Sequence, residues 1–270
     1  MSAFETLHFP LPQTGAGVVH QVTAFRYGTP GARPKAYLQA GLHADEFPGM
    51  LALHILRPML ARAAERGLIR GEIIVLPQAN PLGLTQHPNG FLYGRHDAET
   101  GENFNRAYPD LADKLGDLSG LGADAAQNVA LIREAMGRAL AAMKPRKALT
   151  ALRHRLMSLA HDADLVLDLH ADNQALPHIY TGTALWPEAA DIAAEIDARA
   201  ILLAEVSGGN PFDEALSSPW WALARAHPDK PVPPACLAAT LELGSNDDVD
   251  MEQARDQAAA LYRILERRGL

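Results

Sequence analysis

One cysteine in 270 residues, Cys236, has nothing in the chain to pair with. An intramolecular disulfide and a CxxC pair are both excluded, which leaves Cys236 a core-packing role. Cationic excess is also missing: 24 Lys and Arg stand against 32 Asp and Glu, a formal net charge of -8. A diffuse acidic surface repels phosphate backbones and anionic lipid, and no basic stripe with interleaved aromatics offsets it. The expectation is no nucleic-acid partner and no membrane. No apolar run approaches the roughly 18 residues that suggest a membrane span. The first residues, MSAFETLHFPLP, lack the basic start and apolar centre of a secretory signal, so a cytoplasmic location is expected. GxGxxG, GxxxxGK[ST] and GxSxG are absent, which argues against dinucleotide, phosphate-loop and serine-nucleophile folds.

What remains is an ordinary globular mixture, 48% hydrophobic and 21% charged. A chain of this length buries roughly 70–75% of its unfolded surface and needs no covalent staple. Hydrophobic periodicity predicts strands at 18–27, 36–40, 73–76, 165–169, 178–181, 201–206 and 235–243. It predicts helices at 48–66, 124–143, 148–160, 188–200, 212–226 and 251–267. Strands and helices alternate, so the expected fold is α/β: an open mixed twisted sheet with helices on both faces. No repeat or linker interrupts the chain, and a single domain over 1–270 is expected. Residues 80–110 keep no period and are rich in hydrogen-bonding side chains. A structureless stretch of that length inside a compact domain is often functional.

Polar residues of interest follow the predicted strands, where open α/β sheets place their ligands. In AGLHADEFPG, His43 and Glu46 stand three positions apart after a strand and before Pro48. That spacing puts both side chains on one side of a turn or first helical turn. An imidazole and a carboxylate suit zinc; the bland alternative is a solvated strand–helix junction. In LVLDLHADN, His170 ends an apolar run and can enter a cleft, with Asp168 on the same side of the strand. Asp168 can orient a ligand histidine or cap a turn. Glu242, in ATLELGSND near the end of a core strand, needs a compensating partner if buried. Glu205 and Glu102 rival it as bases by residue type. Arg95 and Arg106 carry rigid donor forks suited to a carboxylate, or serve as surface ion-pair partners.

Taken in order, HxxE, NP, a polar loop ending in NFNR, then DLH and LELG resemble the zinc carboxypeptidase superfamily, and within it the succinylglutamate desuccinylase/aspartoacylase branch. The resemblance runs over about 36–245. It implies a zinc carboxypeptidase-like sheet and one Zn2+ on His43, Glu46 and His170, with a fourth position open. It implies Glu242 as the acid–base carboxylate and Arg95 as the group that polarises the scissile carbonyl. Asn105 and Arg106 would hold a substrate carboxylate, and His178 would line the pocket unless it merely begins a strand. The function implied is zinc-dependent hydrolysis of an amide, with deacylation of a small N-acyl amino acid as the leading reading. A metallocarboxypeptidase acting on short peptides and a non-catalytic zinc- or small-anion-binding protein stand as alternatives. Two departures touch the rim of the site: Ala44 follows His43 where many relatives have glycine, and Asn103 takes an aspartate position. The short stretch 243–270 after Glu242 leaves no room for the extra C-terminal β domain of many relatives, so none is expected.

Overall fold

The computed structural model describes residues 4–270. Eight strands form one sheet: β1 Glu5–Pro10, β2 Gln21–Gly28, β3 Lys35–Ala40, β4 Glu72–Leu76, β5 Leu165–Asp172, β6 His178–Gly182, β7 Ala200–Ala204 and β8 Leu237–Ser245. Six α-helices accompany them: α1 Phe47–Glu65, α2 Ala125–Ala142, α3 Ala148–Ala160, α4 Ala190–Glu195, α5 Phe212–Ala226 and α6 Met251–Arg267. The strand order is β1-β2-β4-β3-β5-β8-β6-β7. Strands β4, β3, β5 and β8 run parallel at the centre, and antiparallel pairs flank them. The sheet is therefore mixed, as the alternating pattern implied.

Side-chain alternation divides the sheet into two unlike faces. Leu165, Leu167 and Leu169 of β5 and Leu237, Ala239 and Leu241 of β8 pack with α1, α4 and α6 in one apolar layer. Val166 and Ala238 point the other way, into the layer built by α2, α3 and α5. Two residues further along that second face the strands carry Asp168 and Thr240, then His170 and Glu242, which are direct partners across the parallel ladder. Period two alone thus brings a histidine and a glutamate from distant sequence to adjacent positions at the C-terminal end of the sheet.

Local chemistry sets the helix starts. Asp124 accepts from the backbone N–H groups of Ala126 and Gln127, and Asp250 does the same for Glu252 and Gln253. Several strand bounds shift by a few residues, and three differences matter most. Strand β1 was not expected; its half-exposed edge position gives it only a weak alternation. The helix expected at 188–200 shrinks to Ala190–Glu195, because Asp197 takes a left-handed conformation, φ 53°. Strand β5 runs on to Asp172, three residues beyond the apolar run. No helix among the described residues is long and apolar enough to cross a membrane. Cys236 is buried in the core, where desolvation pushes its thiol up to about 12.

Candidate active site

The turn after β3 begins the site. Gly41 has φ 69°, and a Cβ there would meet the Met50 side chain at 2.4 Å, so only glycine makes this exit from the strand. His43 follows in the turn, and Glu46 is the residue at which α1 starts, with Pro48 in its first turn. The helix's partial positive end favours a carboxylate at that position.

The loop at 80–110 folds back over this turn through two anchors. Buried Asn80 donates to the Leu42 carbonyl and accepts from the Gly83 N–H, which ties the NP segment to the end of β3. Ala44 N–H donates to the Gly94 carbonyl, and a Cβ on Gly94 would lie 2.1 Å from Asp45 N. That close approach delivers the next residue, Arg95, to the Glu46 carboxylate.

His43, Glu46 and His170 converge: their ligating atoms all lie within 4.8 Å of one another, and all three residues are buried. Glu46 bridges the two rings, with Oε1 2.8 Å from His43 Nδ1 and Oε2 2.7 Å from His170 Nδ1. Both histidines therefore turn Nδ1 inward and Nε2 outward. His43 Nε2 meets Asn103 Oδ1 at 2.9 Å. His170 Nε2 lies 3.1 Å from Asp168 Oδ2, a charge contact without hydrogen-bond alignment. Asp168 is held by Gln39, whose Nε2 donates to its Oδ1 at 2.9 Å, and the Tyr37 hydroxyl donates to the Gln39 side-chain Oε1. Outer partners of this kind fix the tautomer and aim of a ligand histidine.

The donor set fits a divalent ion. Two imidazoles presenting the same ring atom, one carboxylate and further acceptors behind them are the makings of a three-ligand site with an open position. The electrostatics of the triad agree. Burial opposes a proton on His43 and lowers its pKa, which keeps the ring neutral for ligation. Burial also opposes charge on Glu46, but the His170 charge and hydrogen bonds from both histidines overcome it and hold the carboxyl well below the usual range. His170 is desolvated as well, yet Asp168 and Glu46 raise its pKa well above normal. The cluster is thus built to hold positive charge between two carboxylates. Replacing Asn103 with alanine is expected to weaken metal affinity by about 10–100-fold, measured by competition with a chelating dye. Unchanged affinity would show that His43 needs no such orientation.

A cavity of about 420 Å³ opens over His43 and His170 and is also lined by Arg95, Asn105, Arg106, Asp213 and Glu242. Glu242 reaches it from β8; burial raises its pKa, and Oε2 has no hydrogen-bond partner. Arg95 Nη1 donates to Glu46 Oε1 at 2.8 Å and lies 3.2 Å from His43 Nδ1. Asn105 is half committed: its Oδ1 accepts from the Phe212 N–H at the start of α5, and its Nδ2 faces His170 Nε2 at 3.5 Å. Exposed Arg106 donates to the Asn105 carbonyl at 2.7 Å and leaves the rest of its fork in the cavity mouth. His178 stands opposite Glu242 in the β6–β8 ladder but is not among the lining residues; Tyr180, two positions on, is. The rival carboxylates lie elsewhere, Glu102 paired with Arg153 and Glu205 with Arg225.

Against known proteins, residues 32–141 match the model of the succinylglutamate desuccinylase/aspartoacylase catalytic domain. A family protein of that name from Shewanella amazonensis superposes with a TM-score of 0.83 at 29% identity, over 98% of this chain and 73% of its own. The chain is thus similar to the succinylglutamate desuccinylase/aspartoacylase-like branch of the zinc carboxypeptidase superfamily. A second structure of that group, from Shewanella frigidimarina, gives 0.82 at 26% identity over 100% of this chain and 73% of the other. The ectoine utilization protein of Ruegeria pomeroyi shares the fold, with a TM-score of 0.65 at 17% identity over 100% and 68%. No curated protein matches the sequence. The likeness to that family and the buried triad together support a metal-dependent hydrolase acting on a small acyl or amide compound.

Proposed function

We propose that the chain removes the acyl group of a small N-acyl amino acid by hydrolysing its amide bond, with Zn2+ on His43, Glu46 and His170. The observation that carries this reading is Glu242, a part-desolvated carboxylate with an unpartnered oxygen, next to His170 across the β5–β8 ladder and facing the cavity. Mixed imidazole and carboxylate ligands favour zinc among the common divalent ions. When bound, the ion supplies Lewis acidity, which polarises the carbonyl and makes water a better nucleophile near neutral pH.

The remaining work belongs to the protein. Glu242 takes the proton of the attacking water and passes it to the departing nitrogen. Arg95, held over the Glu46 carboxylate, offers its other donors to the developing oxyanion. Asn105 and Arg106 orient a substrate carboxylate, and His178 acts on the site through Tyr180 and Glu242 rather than by lining the cavity. The cavity, about 420 Å³, lies in the range of small-molecule sites. We read residues 80–110 as the active-site loop of a single hydrolase domain.

Arg106→Ala is expected to raise KM for a carboxylate-bearing substrate by about tenfold or more with a smaller change in kcat, the pattern of lost substrate binding. Steady-state kinetics on an acylated amino acid and on its amide-capped analogue would check this. An equal effect on both substrates would remove Arg106 from carboxylate recognition.

One observation favours a second reading. Leu202, Leu203 and Ala204 form part of the cavity wall and belong to β7, the last strand of the sheet, so that side lies at an open edge where a peptide can extend. Assays on N-acetyl and N-succinyl amino acids beside C-terminal dipeptides, with and without chelator, separate the two. Chelator-sensitive turnover of acyl amino acids supports deacylation. Turnover of peptides alone would replace it with carboxypeptidase activity, and no turnover of either would favour a binding protein.

A further inference from the structure

Asp213 has no place in the mechanism above, yet it lines the same cavity as His43, His170 and Glu242 and is only 8% exposed. It sits in the first turn of α5, where an exposed acidic residue would be unremarkable as a partner of the helix dipole. Burial changes its meaning, because no lysine or arginine among the described residues pairs with its carboxylate. Burial, with the Asp168 charge behind it, pushes the carboxyl up to about 7, against the Glu214 backbone N–H and the His170 charge. A buried carboxylate with no lysine or arginine paired to it is costly.

Two hydroxyls on the cavity wall have their protons committed. Ser217, one helical turn beyond Asp213 on the same face, donates its proton to the Asp213 carbonyl at 2.8 Å. Thr181 donates its own to the Ala238 carbonyl at 2.8 Å. Both line the cavity, and each hydroxyl, its proton spent, offers only lone pairs. The cavity wall therefore offers the Asp213 carboxylate and the lone pairs of two hydroxyl oxygens as acceptors. A primary ammonium carries three donors and one positive charge, and it satisfies such a wall where a carboxylate or an alkyl group cannot.

We propose that Asp213 is a specificity residue that selects substrates bearing a primary ammonium group, with Ser217 and Thr181 as additional acceptors. The substrate class becomes a zwitterionic N-acyl amino acid, its carboxylate toward Arg106 and its side-chain ammonium toward Asp213. The proposal rests on the deacylase reading for the bond that is cut, not for the ammonium site itself.

The test compares Nα-acetylornithine and Nα-acetyllysine, each with its alkyl isostere, on metal-loaded wild type and Asp213→Asn. The wild type is expected to favour the ammonium compound in kcat/KM by at least about tenfold, and Asp213→Asn to bring that ratio close to one. A variant that slows both members of a pair equally, or a wild type with no preference, would overturn the proposal. Calorimetric binding of the same pairs keeps the two readings distinguishable. If nothing is hydrolysed but the ammonium compounds bind more tightly and lose that advantage in Asp213→Asn, the ammonium site stands and the deacylase reading falls. Equal binding of both members by the wild type removes the site.

Discussion

Glu242→Gln is expected to lower kcat by about 10³-fold, within the range that positioned acid–base groups contribute, while metal content per chain stays unchanged. Glutamine keeps the shape and one acceptor but accepts no proton. The side chain is not one of the three converging ligands, so the triad should fill as before. Burial raises the Glu242 pKa, and the sign of the pH effect follows. The working form is the carboxylate, so wild-type kcat falls as pH drops through a value above the ordinary glutamate pKa. The variant should lack that limb. Metal analysis at each pH separates this limb from proton competition at the histidines. Loss of metal in Glu242→Gln would reassign Glu242 as a ligand or a support for one.

Glu46→Ala should have the other large effect: bound metal and turnover both fall below detection at micromolar ion. The carboxylate is the bridge between His43 Nδ1 and His170 Nδ1 and also receives the Arg95 fork and the Ala171 N–H. Its removal separates the two remaining ligands and leaves a buried cationic cluster short of its counter-charge. Breaking a buried ion pair by removing one partner typically costs about 3–5 kcal/mol, so the metal-free variant should also melt below the metal-free wild type. The pKa of Glu46 is depressed in the fold. Its stabilisation is therefore present above the ordinary glutamate pKa and is lost as pH falls through the folded value, so the gap between the two proteins closes in acid. A variant with normal melting and full metal would mean that His43 and His170 bind the ion with another donor.

The triad was legible because its ligands follow apolar runs that mark the strands β3 and β5. The run before His43 and the run before His170 are neighbouring strands, β3 and β5, so two local readings meet in space. The position of Glu242 beside His170 was legible for the same reason, through β8. The supports were not. Asn103 acts on His43 by a hydrogen bond across the loop, and Gln39 acts on Asp168 from a neighbouring strand; neither leaves a periodic trace. Gly94 resembles any loop glycine until the Asp45 backbone is seen against it. Asp213 was hidden by its position, since an acidic residue opening a helix is commonplace, and only the packing of Phe212 against Tyr37 and Tyr108 draws that turn inward. The helix expected at 188–200 was too long because the pattern does not register the left-handed backbone at Asp197.

Crystals of the zinc-loaded protein, measured on both sides of the zinc absorption edge, bear most directly on the whole account. A single anomalous peak about 2 Å from Nδ1 of His43, Nδ1 of His170 and a Glu46 oxygen, with Glu242 close by but unbound, is the expected result. A fully occupied ion held by other side chains, or no peak in protein that still turns over substrate, would contradict it.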